Sequence, residues 1–116
     1  MEFTESLKKN YEFRRLYNKG KSVATPYVVV YARRVKGNSN RLGITVSNKI
    51  GKAVVRNKVR RRLREIYRLH EGDMHRGYEL VFVARGRSVD ATYQQLEQAV
   101  LKCCSQLKVL KERDDV

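Results

Sequence analysis

The segment Lys49–Arg68, KIGKAVVRNKVRRRLREIYR, constrains the fold more than any other part of the chain. From about Ala53 to His70, Val55, Val59, Leu63, Ile66 and Tyr67 recur at three- and four-residue intervals, the spacing of one helix face. That stripe covers roughly one-third of the circumference. Arg56, Lys58, Arg60, Arg61, Arg62, Arg64 and Arg68 occupy the rest. A helix built this way buries one face and leaves a cationic face in solvent. The segment carries nine Lys or Arg residues against one acid, Glu65. Like charges at helical spacing repel by roughly a few tenths of a kcal/mol per pair. Solvated helix faces usually mix signs, so a face this uniform calls for a polyanionic partner.

The flanks read as strands. In YVVVYARRV, Val28, Val30 and Ala32 share a face suited to a core, and Tyr27, Val29, Tyr31 and Arg33 share the other. VKGNSNR is a turn by composition. RLGITVS alternates Leu42, Ile44 and Val46 with small or polar residues, as a half-buried strand does. The short connection makes antiparallel pairing of these two strands the simplest expectation. After Gly72 stops the basic helix, YELVFVAR is apolar from Leu80 to Ala84 and suits a strand buried on both faces. A strand–helix–strand unit around the basic helix would make its flanking strands parallel.

Two further helices complete the chain. Asn10 is a candidate cap for YEFRRLYNKG, which Gly20 ends, with Phe13, Leu16 and Tyr17 on one face. The second runs from about Ala91 to Leu110, with Thr92 and Gln95 at capping-box spacing and Tyr93, Leu96, Val100, Cys103 and Leu107 as its buried stripe. A frayed tail is expected over 111–116. The reading is a small α/β sandwich with a sheet of three or four strands, a single domain over 1–116.

Composition bounds the function. With 116 residues and a net charge of +14, the chain is long enough for one real core and is strongly attracted to polyanions. No apolar run approaches the ~20 residues that span a bilayer, and MEFTES carries acids where a signal peptide carries apolar residues. The only cysteines, Cys103 and Cys104, are sequence neighbours, so a reduced cytoplasmic protein without a disulfide framework is expected.

Enzyme signatures fail on spacing. In HEGDMH the histidines, His70 and His75, are five apart rather than four, with a helix-breaking glycine between them. In IGKA, Ala53 stands where a phosphate loop needs Ser or Thr. The twelve acids are scattered, whereas a metal-dependent nuclease clusters them. What remains is binding of a nucleic acid, with charge alone leaving both RNA and DNA open. Six arginines on the basic helix suit phosphates through their planar forks. Phe13, Tyr17, Tyr27 and Tyr31, with Arg33 beside them, either line a groove for single-stranded nucleic acid or are ordinary core.

GKSVATPYVVVYARR, RLGITVSNKIGKAVVRNKVRRRLRE and LVFVARG resemble the bacterial ribonuclease P protein component, from about Leu7 to Leu107. The most specific part is VSNKIGKAVVRNKVRRRLRE. The resemblance implies a two-layer α/β (α+β) sandwich of order αβββαβα, with a small mixed sheet and a left-handed βαβ crossover through the basic helix. It implies a subunit of a ribonucleoprotein endoribonuclease whose hydrolysis belongs to a catalytic RNA using Mg²⁺, with no cofactor on the protein itself. The partners implied are that RNA and precursor tRNA, without a membrane or a required protein partner. Carried over by position, the RNA-subunit contacts are Arg56, Asn57, Lys58, Arg60, Arg61, Arg64 and Arg68. Lys58 stands where the family usually has arginine, which keeps the charge and loses the fork. The cleft for the 5′ leader would hold Phe13, Tyr17, Tyr27, Tyr31 and Arg33. The alternative is a general structural RNA-binding protein, such as a ribosomal component, which needs the basic helix but no leader groove.

Overall fold

Leu80, Val81 and Phe82 are fully buried, and their strand, β5 (Tyr78–Ala84), occupies the centre of a five-stranded mixed sheet. A strand apolar on both faces needs cover on both, and the centre supplies it. β3 (Val28–Arg34) pairs with it antiparallel, and β4 (Asn40–Thr45) pairs with it parallel on the other side. The edges are β2 (Lys21–Ala24), antiparallel to β3, and β1 (Thr4–Ser6), parallel to β4. The computed structural model describes residues 1–112.

The antiparallel pairing expected between β3 and β4 does not form, because β5 lies between them. Their connection crosses the end of β5 and is held there, with Val35 N–H donating to the Gly77 carbonyl at 2.8 Å. The parallel arrangement of β4 and β5 follows from the helix that joins them, α2 (Ala53–His70). Its stripe of Val59, Leu63, Ile66 and Tyr67 is buried, with Val55 half-buried. α3 (Tyr93–Gln106) lies beside α2 on the same face, capped by Thr92, whose Oγ1 accepts from Gln95 N–H at 3.1 Å. These two helices and the sheet enclose the main core, which includes Val28, Val30, Ala32, Leu42, Leu80 and Phe82. α1 (Asn10–Lys19) rests on the opposite face over a smaller cluster of Leu7, Leu16 and Val81.

Three boundaries differ from the sequence expectation. Lys9, not Asn10, is the N-cap of α1, because the Glu12 carboxylate reaches back to accept Lys9 N–H at 3.2 Å. α3 stops at Gln106 rather than near Leu110, because Lys108 adopts a left-handed backbone (φ 64°). Leu110 then bridges to Met74, and Lys111 N–H donates to the Asp73 carbonyl at 2.8 Å. Fraying was expected from 111; Lys111 is tied down, and 113–116 lie outside the described residues.

β1 has no signal in the sequence and is held by tertiary contacts. The Glu71 carboxylate accepts the backbone N–H groups of Glu2 (2.7 Å) and Phe3 (3.2 Å). The Thr4 hydroxyl lies 2.7 Å from the Tyr67 hydroxyl, and the Arg76 guanidinium stacks 4.3 Å from the Phe3 ring centre. Burial alone would raise the Glu71 pKa; the Thr4 hydroxyl and the two amides outweigh it, and the carboxyl titrates below its ordinary range. Glu12 is also lowered: burial opposes, and Arg41 with the Lys9 amide prevails. A folded pKa below the unfolded value means stability that is present above the unfolded pKa and lost as pH falls through the folded one. Thermal melting is therefore expected to hold steady at neutral pH and fall below the ordinary carboxylate pKa of 4.5. Glu71→Gln should flatten that acid limb while lowering the neutral-pH melting temperature; an unchanged limb would remove Glu71 from the account.

Candidate RNA-binding surface

The face of the sheet under α1 is ordered in three rows by strand register. Arg41, Glu79 and Arg33 form the first, Gly43, Val81 and Tyr31 the second, and Thr45, Val83 and Val29 the third. α1 lies over the middle row, where Leu16 and Val81 are both fully buried. Phe13 sits directly on Gly43: a Cβ there would come within 2.4 Å of the Phe13 ring. This is why a glycine interrupts an otherwise regular strand.

On the side of α1 facing the third row, an aromatic cleft opens. Tyr17 and Tyr31 meet edge to face with ring centres 4.9 Å apart, and the Tyr17 hydroxyl lies 3.2 Å from Thr45 Oγ1. Val29, Val83, Tyr31 and Phe13 are half-buried and Tyr17 is exposed, so aromatic and apolar surface remains open to a ligand. On the other side of α1 the first row carries charge. Arg33 Nη1 and Arg15 Nη2 each donate to one oxygen of Glu79 at 3.3 Å, and Arg41 Nη1 donates to Glu12 Oε2 at 2.7 Å.

Of the five residues assigned to the cleft from sequence, Tyr17 and Tyr31 meet, and Phe13 and Tyr31 pack against the same apolar cluster under α1. Arg33 shares their face but lies one row away, drawn to Glu79. Tyr27 does not join them. It precedes β3 and packs against the main core on the α3 side, near Arg87, Asp90 and Ala91. The cause is local: Thr25 Oγ1 accepts the N–H groups of both Tyr27 (3.2 Å) and Val28 (3.0 Å), and that turn breaks the alternation one residue before the strand begins.

The basic face of α2 is open. Asn57, Lys58, Arg60, Arg61, Arg64 and Arg68 are exposed, and Arg56 is half-buried with Nη1 on the Gly51 carbonyl at 3.1 Å. Arg60 Nη1 donates to Asn57 Oδ1 at 3.3 Å, and Arg68 is paired with Glu65, the segment's one acid. Arg62 is diverted to the fold, donating to the Ala91 carbonyl at 3.1 Å. Arg60, Arg61, Arg64 and Arg68 form one wall of a groove of about 520 Å³ whose other walls are the N-terminal segment and β4. Phe13 lines the same groove, so the aromatic cleft and the cationic helix meet at that ring.

The rejected motifs have structural occupations. His70 Nε2 lies 2.9 Å from Glu97 and links α2 to α3, and His75 N–H donates to the Val109 carbonyl. Cys103 and Cys104 are buried in the core, and burial pushes their thiols up to about 11 and about 12, far from a reactive thiolate. Among the described residues, no three His, Cys, Asp or Glu side chains gather as metal ligands, and no helix is long and apolar enough to cross a membrane. The sequence reading missed Glu12, Arg15, Arg41, Gly43, Thr45, Glu79 and Val83. Only Gly43 carried a signal, as a lone glycine within an alternating strand.

A cationic helix beside a sheet that carries an edge-to-face aromatic pair in an open cleft suits a protein that binds single-stranded nucleic acid. Comparison with known proteins makes this specific. The Ribonuclease P family model matches residues 1–108, and the chain belongs to that family, the protein components of the ribonucleoprotein that processes the 5′ end of tRNA. The ribonuclease P protein component of Clostridium botulinum (strain 657 / Type Ba4) is 49% identical over 96 residues, spanning 82% of this chain and 86% of its own. That of Alkaliphilus oremlandii is 40% identical over 110 residues, spanning 95% and 96%. The solved Staphylococcus aureus RNase P protein superposes with a TM-score of 0.84 at 36% identity, covering 91% of this chain and 97% of that one. The Thermotoga maritima protein does so at 0.77 and 31%, covering 84% and 93%.

Proposed function

We propose that this chain binds the catalytic ribonuclease P RNA through the exposed face of α2 and holds the single-stranded 5′ leader of precursor tRNA in the aromatic cleft. Arg60, Arg61 and Arg64 are the main RNA-subunit contacts, with Arg56, Asn57, Lys58 and Arg68 beside them. Phe13, Tyr17 and Tyr31 take the leader. One observation carries the reading: Phe13 belongs to both the cleft and the arginine-walled groove. A general RNA clamp needs the helix alone. A subunit that joins a catalytic RNA to its substrate needs two contiguous surfaces of different chemistry, one for phosphates and one for bases.

The protein's chemical contribution is binding. Planar guanidinium groups match phosphate oxygens, and each stacked base adds about 1–3 kcal/mol. Mg²⁺ held by the RNA supplies the hydrolytic chemistry, in the cytoplasm, and the protein alone does not cleave. Binding energy at the leader and charge neutralisation at α2 lower the Mg²⁺ that the RNA requires.

The test is cleavage of a precursor tRNA by a bacterial ribonuclease P RNA at low Mg²⁺, with and without the chain. Restored cleavage at the mature 5′ end, with none from the protein alone, is the expected result. In the same assay Phe13→Ala should weaken precursor tRNA about 5- to 150-fold, one stacked base, and leave mature tRNA unchanged. Equal weakening of both tRNAs would return the protein to the class of general RNA-binding components.

A further inference from the structure

The charged row on the far side of α1 has no part in the reading above. Glu79 is only 3% exposed, in the central strand, and its carboxylate holds an arginine from α1 on one oxygen and an arginine from β3 on the other. Arg41 on β4, its register partner on the other side, holds Glu12 of α1. These pairs join α1 to three strands along one edge of the helix.

A phosphate subsite is one reading of such a cluster. The charges argue against it. The cavity beside these residues is lined by Arg15, Arg33, Arg41 and Lys36, but also by Glu5 and Glu79. Glu79 and Glu12 already hold the three arginines. An incoming phosphate would have to break those pairs and lie against carboxylates.

We propose that Glu79, acting through Arg15 and Arg33, is a positioning residue for the aromatic cleft. The inference rests on the cleft being the leader site. The apolar seat of α1 is thin, three buried residues with Phe13, Tyr31 and Val83 at its margin. Arg15 and Tyr17 are two residues apart, about 200° around the helix, and so project to opposite sides of the same turn. Tension on Arg15 toward Glu79 therefore fixes the roll of α1 that keeps Tyr17 against Tyr31 and within 3.2 Å of Thr45. Released from Glu79, the helix can roll and the cleft loses its fixed width. The cost falls on binding of an ordered single strand, because a cleft that must be re-formed binds more weakly by the fraction of time it is competent.

The experiment uses the reconstituted holoenzyme and measures affinity for precursor and mature tRNA across a salt series, for Arg15→Gln, Tyr17→Ala and the double variant. Arg15→Gln is expected to weaken precursor tRNA about 3- to 10-fold, to spare mature tRNA, and to leave the salt slope unchanged. Combined with Tyr17→Ala it should add nothing further, because the residue it positions is gone. Arg15→Lys should recover part of the loss. A salt slope reduced by about 0.7, the value for one phosphate contact on a single strand, or additive effects in the double variant, would make Arg15 a direct RNA ligand and overturn the proposal. No change in Arg15→Gln would overturn it as well. If Tyr17→Ala itself fails to discriminate precursor from mature tRNA, the leader reading falls and takes this inference with it. Should Arg15→Gln lower the melting temperature, Arg33→Gln, which frees the other oxygen of Glu79 without altering α1, repeats the test with the same outcomes.

Discussion

Asn40→Ala is expected to destabilise the protein by about 2–5 kcal/mol, more than any surface change, through the loss of a single buried amide. Asn40 is fully buried at the start of β4, and its side chain is satisfied on every side. Oδ1 accepts the N–H groups of Gly77 (2.8 Å) and Tyr78 (2.9 Å) at the entry to β5. Nδ2 donates to the His75 carbonyl (3.0 Å) and to the Tyr67 hydroxyl (3.2 Å). Truncation strands two backbone donors that water reaches poorly, and each orphaned group costs about 1–3 kcal/mol. Tyr67 also bonds Thr4, so the loss extends to β1 and the groove wall. Chemical denaturation checks this. A change below about 1 kcal/mol, at the low end for even one orphaned donor, would mean that water replaces the amide.

Arg61→Ala with Arg64→Ala is expected to act in the opposite manner, on binding without loss of stability. Both side chains are exposed on α2, and neither makes a hydrogen bond or ion pair to another described residue. Charge-assisted contacts contribute about 1.5–3 kcal/mol each, so the pair should cost about 100-fold or more in affinity for the catalytic RNA. The slope of log affinity against log salt should flatten by about 1.4–1.8, two phosphate contacts. The melting temperature of the free protein should stay level or rise, because like charges on one helix are removed. A salt slope equal to that of the parent protein would show that these arginines do not touch the RNA backbone.

The two variants separate the parts of the molecule that local sequence writes clearly from those it does not. Arg61 and Arg64 were assigned to one cationic face from spacing alone, because helical period is a property of consecutive residues. The same holds for the two faces of β3 and the buried run of β5. Asn40 gave no such signal. Its partners are 27 to 38 residues away, and nothing in RLGITVS or its flanks distinguishes a buried amide from a turn residue. β1 was invisible for the same reason, since the polar triplet Thr4–Ser6 becomes a strand only when β4, Glu71 and Tyr67 are in place. Tyr27 was misplaced because alternation was carried one residue too far, into a turn made by Thr25. Lys108 ended α3 in a conformation that glycine usually marks, so the stop could not be read.

By itself, then, the sequence determined the cationic helix, the apolar strands on either side of it, the resemblance to the ribonuclease P protein component and the residue types available for RNA. These depend on the order of neighbours and on charge, which are local. Tertiary structure decided that β5 separates β3 from β4, that Glu79 meets Arg15 and Arg33, and that Phe13 stands where the aromatic cleft and the arginine groove join. Those are encounters between segments far apart in the chain. Their positions are set by which strand requires burial on both faces, a competition settled only when the whole sheet assembles.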